Sequence, residues 1–369
     1  MHFVALILQN YFSKSTFFRN FGFTELTRHS EMKRKANFPF AFLSFFRNFA
    51  PVKLTTRRMM AEWEPQSCVQ LTWPHAATDW APMLDDIIAV YEEMKREIEK
   101  REPVLVVDDI PHNDTWARDH GFITVESPLP EGKGSQLVLL DFCFNGWGEK
   151  FPAELDNQIN RQLYDKGLVK GLYEPHLDFV LEGGSIESDG KGTIFTTRCC
   201  LTAPHRNQPL TQAEIEERLK LWLGAERVVW LEHGSLLGDD TDGHIDTLVR
   251  ICPGDTLLYI GADADHPDLY LMEQELGQLR TLEGSPYRLL RLPLPHPIYD
   301  EGERLPATYA NYLVVNGAVL VPTYNQPDLD RQAMDIIRQA YPEREIVGID
   351  CRTVIRQHGS LHCCTMQYY

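Results

Sequence analysis

The most informative part of the sequence lies at the end of the chain and reads Gln357-His358-Gly359-Ser360-Leu361-His362-Cys363-Cys364-Thr365-Met366-Gln367. The last residues of a domain usually fray into solvent, so a glycine turn followed by a packed apolar run is unusual there. The pattern predicts a short buried strand that sets a cysteine at a glycine-flanked corner. A thiol becomes a catalytic nucleophile only beside a base, an acid and a suitable charge environment. A catalytic role for this cysteine therefore requires such partners elsewhere in the chain.

The composition changes sharply near residue 60. The first 60 of the 369 residues carry 10 basic and 2 acidic side chains, whereas the whole chain has a formal charge of −17. Twelve of the 18 phenylalanines also precede Ala61. We predict a non-domain extension over residues 1–59 and a single catalytic domain over residues 60–369. We expect the true start at Met59 or Met60, and a targeting segment or an ordered structural role are the alternatives.

Several classes of protein fit this composition poorly. The acidic balance argues against a nucleic-acid surface. The apolar run Phe3–Leu8 is far shorter than the roughly 20 residues that span a membrane. The eight cysteines include no CxxC pair, which argues against a structural zinc site and favours reduced thiols in a cytoplasmic compartment.

From Gln66 onward, short apolar runs alternate with amphipathic stretches, which predicts strands that alternate with helices. The predicted helices are Pro82–Arg101, Ala153–Tyr164, Gln212–Leu223 with a capping box from Thr211 and Glu214, Asp268–Leu282 and Leu329–Ala340. The predicted strands include Val69–Trp73, Val104–Val107, Gln136–Phe142, Phe179–Glu187, Gly192–Thr197, Arg227–Leu231, Ile245–Cys252, Thr256–Ile260, Arg288–Leu292, Tyr312–Val315, Ala318–Val321 and Ile346–Ile349. Two or three short strands for each helix indicate α+β modules of similar size.

The polar residues of interest follow the same spacing. Asp119 and Glu182 are 63 residues apart, Glu182 and His244 are 62 apart, and His244 and Cys363 are 119 apart, which is about two units. We expect a ring of five modules with functional side chains that project into its centre. This expectation rests on spacing alone.

Four stretches place glycines beside acidic, histidine or cysteine side chains, and glycine permits the tight turns that bring such side chains close to a ligand. They are Asn113–Gly121, Leu181–Ser185, Gly238–Thr247 and the C-terminal stretch around Cys363. His244 and Asp246 are two residues apart, so on a strand they would share one face.

Together these stretches resemble the agmatine deiminase family, which includes the bacterial-type peptidylarginine deiminases of the guanidine-modifying superfamily. The resemblance runs from about Met60 to Gln367, with motifs of the type WxRDxGP, LEGGS, DxTxGHxD and HC-x-T-x-Q in order. It implies an α+β fold, a five-bladed pseudo-symmetric ββαβ propeller (pentein). It also implies that Cys363 is the nucleophile, His244 the general acid/base, Asp119 and Asp246 the carboxylates that bind the guanidinium, and Glu182 the residue that orients His244.

The chemistry of the residue types supports these roles. Two carboxylates hold a planar guanidinium through charge-assisted hydrogen bonds and fix its carbon over the sulfur. A histidine protonates the departing ammonia and then activates water to hydrolyse the covalent thiouronium. No metal or organic cofactor is needed.

Other residues are secondary candidates for the site or are expected to have a structural role. Trp116 could stack on the guanidinium or pack in the core. Trp73 and Asp79 could line the mouth of the site. Cys364 is expected to be structural, and His362 to flank the nucleophile and pack.

The sequence departs from the common agmatine deiminase pattern at Gly359-Ser360-Leu361, at Asp242 and Thr247, and at His120-Gly121-Phe122. None of these departures falls on the proposed catalytic residues. They bear on the pocket that recognises the rest of the substrate, so the motifs specify the reaction type more closely than the substrate. We expect hydrolysis of agmatine, a small cationic guanidine, to N-carbamoylputrescine and ammonia in putrescine biosynthesis.

Three alternatives stay open. The first is deimination of peptidyl or free arginine by the same mechanism, which a basic or open pocket mouth would favour over an acidic one. The second is a non-catalytic, ribosome-associated pentein binding factor. The third is a zinc hydrolase that uses His244, His362 and Cys363. No nucleic acid or membrane partner is expected, and homo-oligomerisation stays open.

Overall fold

The computed structural model describes residues 57–129 and 132–369. Most of the predicted extension, residues 1–56, lies outside the described residues. The described part has a mixed α/β fold. Its regular helices are α1 Leu84–Glu99, α2 Ala117–His120, α3 Ile159–Asp165, α4 Arg198–Leu201, α5 Gln212–Leu223, α6 Asp268–Gln278 and α7 Pro327–Ala340, and an irregular helical turn covers Gly146–Glu149.

The strands are short and mostly arranged in small separate sheets. They are β1 Arg58–Met59, β2 Cys68–Thr72, β3 Val104–Val107, β4 Ile123–Pro128, β5 Ser135–Cys143, β6 Leu172–Val180, β7 Ile186–Ser188, β8 Thr193–Thr197, β9 Arg227–Leu231, β10 Val249–Cys252, β11 Thr256–Ile260, β12 Arg288–Leu292, β13 Tyr299–Asp300, β14 Glu303–Arg304, β15 Leu313–Val315, β16 Ala318–Thr323, β17 Glu345–Asp350 and β18 Thr365–Tyr368.

Five of the described sheets share one topology. In each, an antiparallel strand pair is followed by a helix and a third strand that runs parallel to the second. Four of these ββαβ modules are continuous in sequence and are built on β4-β5-β6, β7-β8-β9, β10-β11-β12 and β15-β16-β17.

The fifth module joins the two ends of the described chain. Strand β18 pairs antiparallel with β2, and β2 pairs parallel with β3 across α1. We call this sheet the closing module. Because β18 begins at Thr365, the stretch around Cys363 enters the structure as the first connection of this module.

The helices form where the sequence supplies one apolar face and proper ends. Helix α1 buries Ile87, Tyr91, Met94 and Ile98 at helical spacing, and full burial of each such side chain stabilises the fold by roughly 1.5–3 kcal/mol. Helix α5 begins with the predicted capping box from Thr211, whose hydroxyl accepts a hydrogen bond from the Glu214 amide. These features confirm the predicted helix type and, for α5, both bounds.

Two predicted strands differ from the structure at functionally important points. The predicted strand Phe179–Glu187 is two strands, β6 and β7, separated by a turn that contains Glu182 and the 3-10 segment Gly183–Ser185. The predicted strand Ile245–Cys252 begins instead with the 3-10 turn Ile245–Thr247. The prediction that His244 and Asp246 share a strand face was therefore wrong, because the glycine-rich sequence before β10 continues as a turn.

The described chain starts with three residues that were assigned to the extension. Arg58 and Met59 form β1, which pairs antiparallel with β4. Arg57 makes an ion pair with Glu174 at 2.6 Å. Among the described helices, none combines the length and the apolar character needed to cross a membrane.

Candidate active site

The connection before the first strand of each module carries the polar residues of interest. Asp119 lies in α2 before β4, and Glu182 lies before β7. His244 and Asp246 lie before β10, and Cys363 lies before β18. The remaining module has Asn311 in the same position, two residues before β15. One repeated topology thus presents a polar side chain from all five modules.

Gly184 marks the point where three of these side chains meet. A Cβ atom on Gly184 would lie 2.6 Å from His244 Nδ1, 2.9 Å from Asp119 Oδ1 and 3.2 Å from Asp246 Oδ2. Only a residue without a side chain allows this approach. The structure therefore brings together His244, Asp119 and Asp246, which come from two modules.

Asp119 is almost completely buried and is held by two donors. Trp147 Nε1 donates to Asp119 Oδ2 at 3.0 Å, and the Gly184 amide donates to Oδ1 at 3.1 Å. Burial raises the pKa of Asp119 to about 6, with further upward contributions from Asp246 and Glu182, although His244 opposes them. His244 Nδ1 lies 3.7 Å from Asp119 Oδ1, which is too long for a hydrogen bond.

The pKa of Asp246 shifts in the opposite direction. Its Oδ2 accepts a hydrogen bond from His362 Nδ1 at 2.7 Å and another from Asn311 Nδ2 at 3.1 Å. Burial alone would raise the pKa of Asp246, but the hydrogen bond and charge of His362 hold it below the usual range. Both ring nitrogens of His244 and Asp246 Oδ1 are buried without a hydrogen-bond partner in the described part of the chain. Such atoms are uncommon in proteins and often mark functional positions.

Cys363 is 4% exposed and is connected to Asp246 through Asn311. Its Sγ lies 3.4 Å from Asn311 Oδ1, and Asn311 Nδ2 bonds Asp246. Burial raises the pKa of the Cys363 thiol well above its usual value, and Asp246 and Asp119 raise it further. The thiol of the free protein is therefore protonated at neutral pH. Cys364 is fully buried and lies outside the cavity, as expected for a structural residue.

Glu182 is fully buried, and its carboxylate pairs with Arg206. Its carboxylate accepts from Arg206 Nε at 3.0 Å, and both side chains have no exposed surface. Arg206 also binds Asp242 and donates to the Thr241 carbonyl at 2.8 Å. A Glu182 oxygen lies within 4.8 Å of a His244 ring nitrogen. Glu182 thus lies beside His244 and anchors, through Arg206, the loop that leads to it.

A cavity of ≈ 220 Å³ opens onto Cys363 and Asp119. Trp116 and Asp79 line it. Trp73 is not among the lining residues and packs its ring edge-on against Tyr91 at 5.6 Å. The other lining residues are Asp114, Trp147, Phe151, Asp240, Thr241, Gln357, His358 and Gly359. Glycine is required at position 359, since a Cβ there would lie 2.1 Å from the Trp116 ring.

Comparison with known proteins agrees with this geometry. The model of the Porphyromonas-type peptidyl-arginine deiminase family matches residues 58–368. The chain belongs to this family.

Relatives of this family member share most of its length. A Pseudomonas aeruginosa agmatine deiminase is 32% identical over 357 residues, which is 84% of this chain and 95% of the relative. A solved variant of the C. jejuni agmatine deiminase with substrate bound is 34% identical, with a TM-score of 0.77 over 85% of this chain and 96% of that one. A crystal structure from Porphyromonas gingivalis, provisionally described as an arginine deiminase, is 46% identical, with a TM-score of 0.78 over 85% and 98%.

Metal ligation does not fit the donor clusters of this family member. In the described residues, two groups of three potential ligands have their donor atoms within 4.8 Å, namely Glu182 with Cys200 and His244, and Glu62 with Glu187 and His362. Arginine already pairs with the carboxylates of both groups. A cation would have to displace a buried guanidinium in either place. Neither group combines His244, His362 and Cys363, the set that a zinc hydrolase would require.

Sequence reasoning missed Asn311, Trp147, Asp114 and Arg206. Asn311 had a readable signal, because the spacing of about two units between His244 and Cys363 left one module without an assigned residue. Trp147 lies in the Asn-Gly-Trp-Gly turn of residues 145–148, where it has a positive φ of 56°. A tryptophan between glycines in a polar loop is a weaker signal, but it is one that favours function over packing.

Proposed function

We propose that this chain is an agmatine deiminase, which hydrolyses the C–N bond of a guanidinium group to give N-carbamoylputrescine and ammonia. The observation that carries the proposal is the acidic cavity that ends at Cys363. Its described lining includes Asp79, Asp114, Asp119 and Asp240 and no lysine or arginine. A cation with two positive ends matches this lining.

The lining also favours agmatine over arginine. Agmatine ends in an ammonium group, whereas arginine ends in a carboxylate or a peptide bond. A carboxylate placed near Asp79, Asp114 and Asp240 would be repelled by like charges. The cavity volume of ≈ 220 Å³ is also below the roughly 300–1,000 Å³ of pockets for drug-sized ligands, which favours a small substrate.

In the proposed binding step, the guanidinium lies between Asp119 and Asp246 with Trp116 against it. Binding a cation there offsets the two negative charges that raise the pKa of the Cys363 thiol. The thiol can then transfer its proton to His244 and attack the guanidinium carbon as a thiolate. In the free protein the two carboxylates keep the thiol protonated. When a bound cation offsets their charge, the thiol can ionise.

In the proposed chemical steps, His244 moves the protons. The Sγ–C bond forms, and the C–N bond breaks as His244 protonates the departing ammonia. His244 then takes a proton from water, which attacks the thiouronium carbon and releases the ureido product from Cys363. Glu182, held by Arg206, is the proposed positioning residue for His244. The product is one from which putrescine can be made.

We also propose that the five ββαβ modules are arranged as the five blades of a pseudo-symmetric ring around this site. Their shared strand topology and the polar residue before the first strand of each module support this arrangement. The closing module supports it further, because it joins β18 to β2.

The test is release of ammonia and of ureido product by the full chain, offered agmatine, free arginine or an arginyl peptide. We expect turnover of agmatine alone, lost in Cys363→Ala and retained in Cys68→Ala, a matched change of a half-buried cysteine on β2. Preference for the arginyl peptide would indicate that the chain uses the same mechanism on a different substrate. Failure to release ammonia from all three substrates would refute the proposed function.

A further inference from the structure

His362 has an environment that packing beside the nucleophile does not explain. It is 2% exposed and lies between two carboxylates. Its Nδ1 is 2.7 Å from Asp246 Oδ2, and its Nε2 is 3.0 Å from Glu62 Oε2. A neutral imidazole has only one N–H, so it can donate to only one of these oxygens. Donation to both requires the imidazolium form.

The charges around His362 also favour the imidazolium. The described groups that face it are three carboxylates and two guanidiniums, namely Asp246, Glu62, Glu187, Arg250 and Arg118. A positive His362 offsets the excess of carboxylates in this buried set, which lowers the cost of burying its charges. Burial would raise the pKa of Glu62, but Arg250 and then His362 hold it well below its usual range.

The carboxylates behind His362 are fixed. Arg250 is 1% exposed, pairs with Glu62 and binds Glu187 at 2.6 Å. It also donates to the Ala310 carbonyl at 3.0 Å and lies 4.3 Å from the centre of the Tyr312 ring. Glu62 therefore cannot easily move away, and it keeps His362 directed at Asp246.

One further contact is made at Nε2 of His362. Arg250 Nη2 lies 3.2 Å from this atom. Arginine can only donate, so the contact is a hydrogen bond only to an imidazole without a proton on Nε2. Replacing His362 by an uncharged side chain removes the positive charge beside Asp246.

We propose that His362 is a positioning residue that, as an imidazolium held by Glu62, keeps Asp246 ionised and oriented to receive the substrate guanidinium. The assignment rests on the proposed function and gives Asp246 a fixed partner. It also explains why the pKa values of Asp119 and Asp246 shift in opposite directions. Burial raises the pKa of Asp119, whereas the cation beside Asp246 holds its pKa down.

The pH dependence follows from these groups. The titratable and charged groups that face Asp246 are His362, His244, Asp119, Cys363 and Arg250. Without the imidazolium, burial dominates and the pKa of Asp246 rises. Asp119, whose pKa is about 6, already sets the acidic limb of the kcat/KM profile. Loss of an opposite charge raises a carboxyl pKa by about 1–3 units, which brings the pKa of Asp246 toward the same range, so the limb should steepen from about tenfold toward about 100-fold per pH unit.

The test compares His362→Gln and Glu62→Gln with His266→Gln in the full chain. His266 is an equally buried histidine that bonds one carboxylate, Asp263, outside the cavity. We expect His362→Gln to lower kcat/KM at pH 7 by about 10- to 100-fold, mainly through KM, with a steeper acidic limb. Glu62→Gln should steepen the limb by less. His266→Gln should leave the pH profile unchanged. An acidic limb of unchanged slope in His362→Gln with a normal fold would overturn the proposal.

A second measurement separates this inference from the proposed function. In the Cys363→Ala chain, the affinity for agmatine is measured by calorimetry from pH 5 to pH 8, with and without His362→Gln. Weaker binding that falls more steeply toward low pH supports the role of His362 even where no turnover is seen. Equal affinities at every pH would refute it. If the full chain turns over no guanidine substrate and the Cys363→Ala chain binds none, the proposed function itself has failed.

Discussion

The substitution Gly184→Ala tests the convergence of the site with a single methyl group. Gly184 has an ordinary backbone conformation, so alanine adopts it without strain. The added Cβ would nevertheless lie 2.6 Å from His244 Nδ1 and 2.9 Å from Asp119 Oδ1. The methyl group therefore disturbs the catalytic side chains rather than the main chain.

The size of the effect follows from these distances. Ordinary contacts begin at 3.4 Å, so His244 must withdraw by about 0.8 Å and Asp119 by about 0.5 Å. A displacement of about 1 Å at a reacting group can cost about 100-fold in rate. Crowding a packed site costs about 1–3 kcal/mol of stability. We therefore expect kcat/KM for agmatine to fall by about 100-fold, with a moderately lower Tm.

The assay is steady-state ammonia release together with a thermal melt. The matched control is Gly277→Ala in helix α6, where a Cβ meets no atom within 4 Å. This control should keep full activity, and its free energy of unfolding should rise by about 0.5–1 kcal/mol, because alanine is the better helix former. Full activity in a folded Gly184→Ala chain would refute the convergence of His244 and Asp119 at this point.

Further predictions concern the carboxylate, its donor and the cavity wall. Asp119 must be ionised to bind the substrate, so kcat/KM should fall about tenfold per pH unit below its pKa of about 6. Because burial raises this pKa above the unfolded value, ionisation of Asp119 opposes folding as pH rises through about 6. Asp119→Asn should therefore abolish turnover yet raise Tm at pH 8, and an unchanged Tm there would contradict this account. Trp147→Phe removes the donor to Asp119 Oδ2 and should lower kcat/KM about tenfold, with an acidic limb at higher pH; an unmoved limb would argue against that bond. Gly359→Ala should push the Trp116 ring aside and raise KM more than it lowers kcat, which substrate titration can decide. Dialysis against a chelator should leave activity unchanged, and a loss restored by a metal would refute the metal-free mechanism.

Much of the module structure could be predicted because its elements follow local rules. Helix α5 has its capping box and its apolar face within one continuous segment, and both bounds were predicted correctly. Strands β9, β11 and β12 are short apolar runs between turns, and their bounds were also predicted correctly. Local sequence determined these elements, so no knowledge of the tertiary structure was needed.

The turns before the first strands could not be predicted in the same way. Periodicity extended a strand through Glu182 and another through Asp246, whereas the structure has 3-10 segments there. The polar groups of these turns are satisfied by partners distant in sequence, such as Arg206 for Glu182 and His362 for Asp246. Pairings of this kind depend on how the modules meet, and a single sequence contains no periodic signal for them.

The opposite electrostatics of the two proposed guanidinium-binding carboxylates give the site a defined order of events. Asp246 keeps its negative charge at all pH values near neutrality, because His362 offsets the effect of burial. Asp119 and the Cys363 thiol both have raised pKa values; Asp246 raises both, and Asp119 also raises that of the thiol. A cation between Asp119 and Asp246 lowers both pKa values at once, so binding of the substrate and formation of the nucleophile are coupled. The ureido group of the product has the same shape but is uncharged, so it places no positive charge between the two carboxylates. The same carboxylates that favour the substrate thus bind the product weakly, which favours its release.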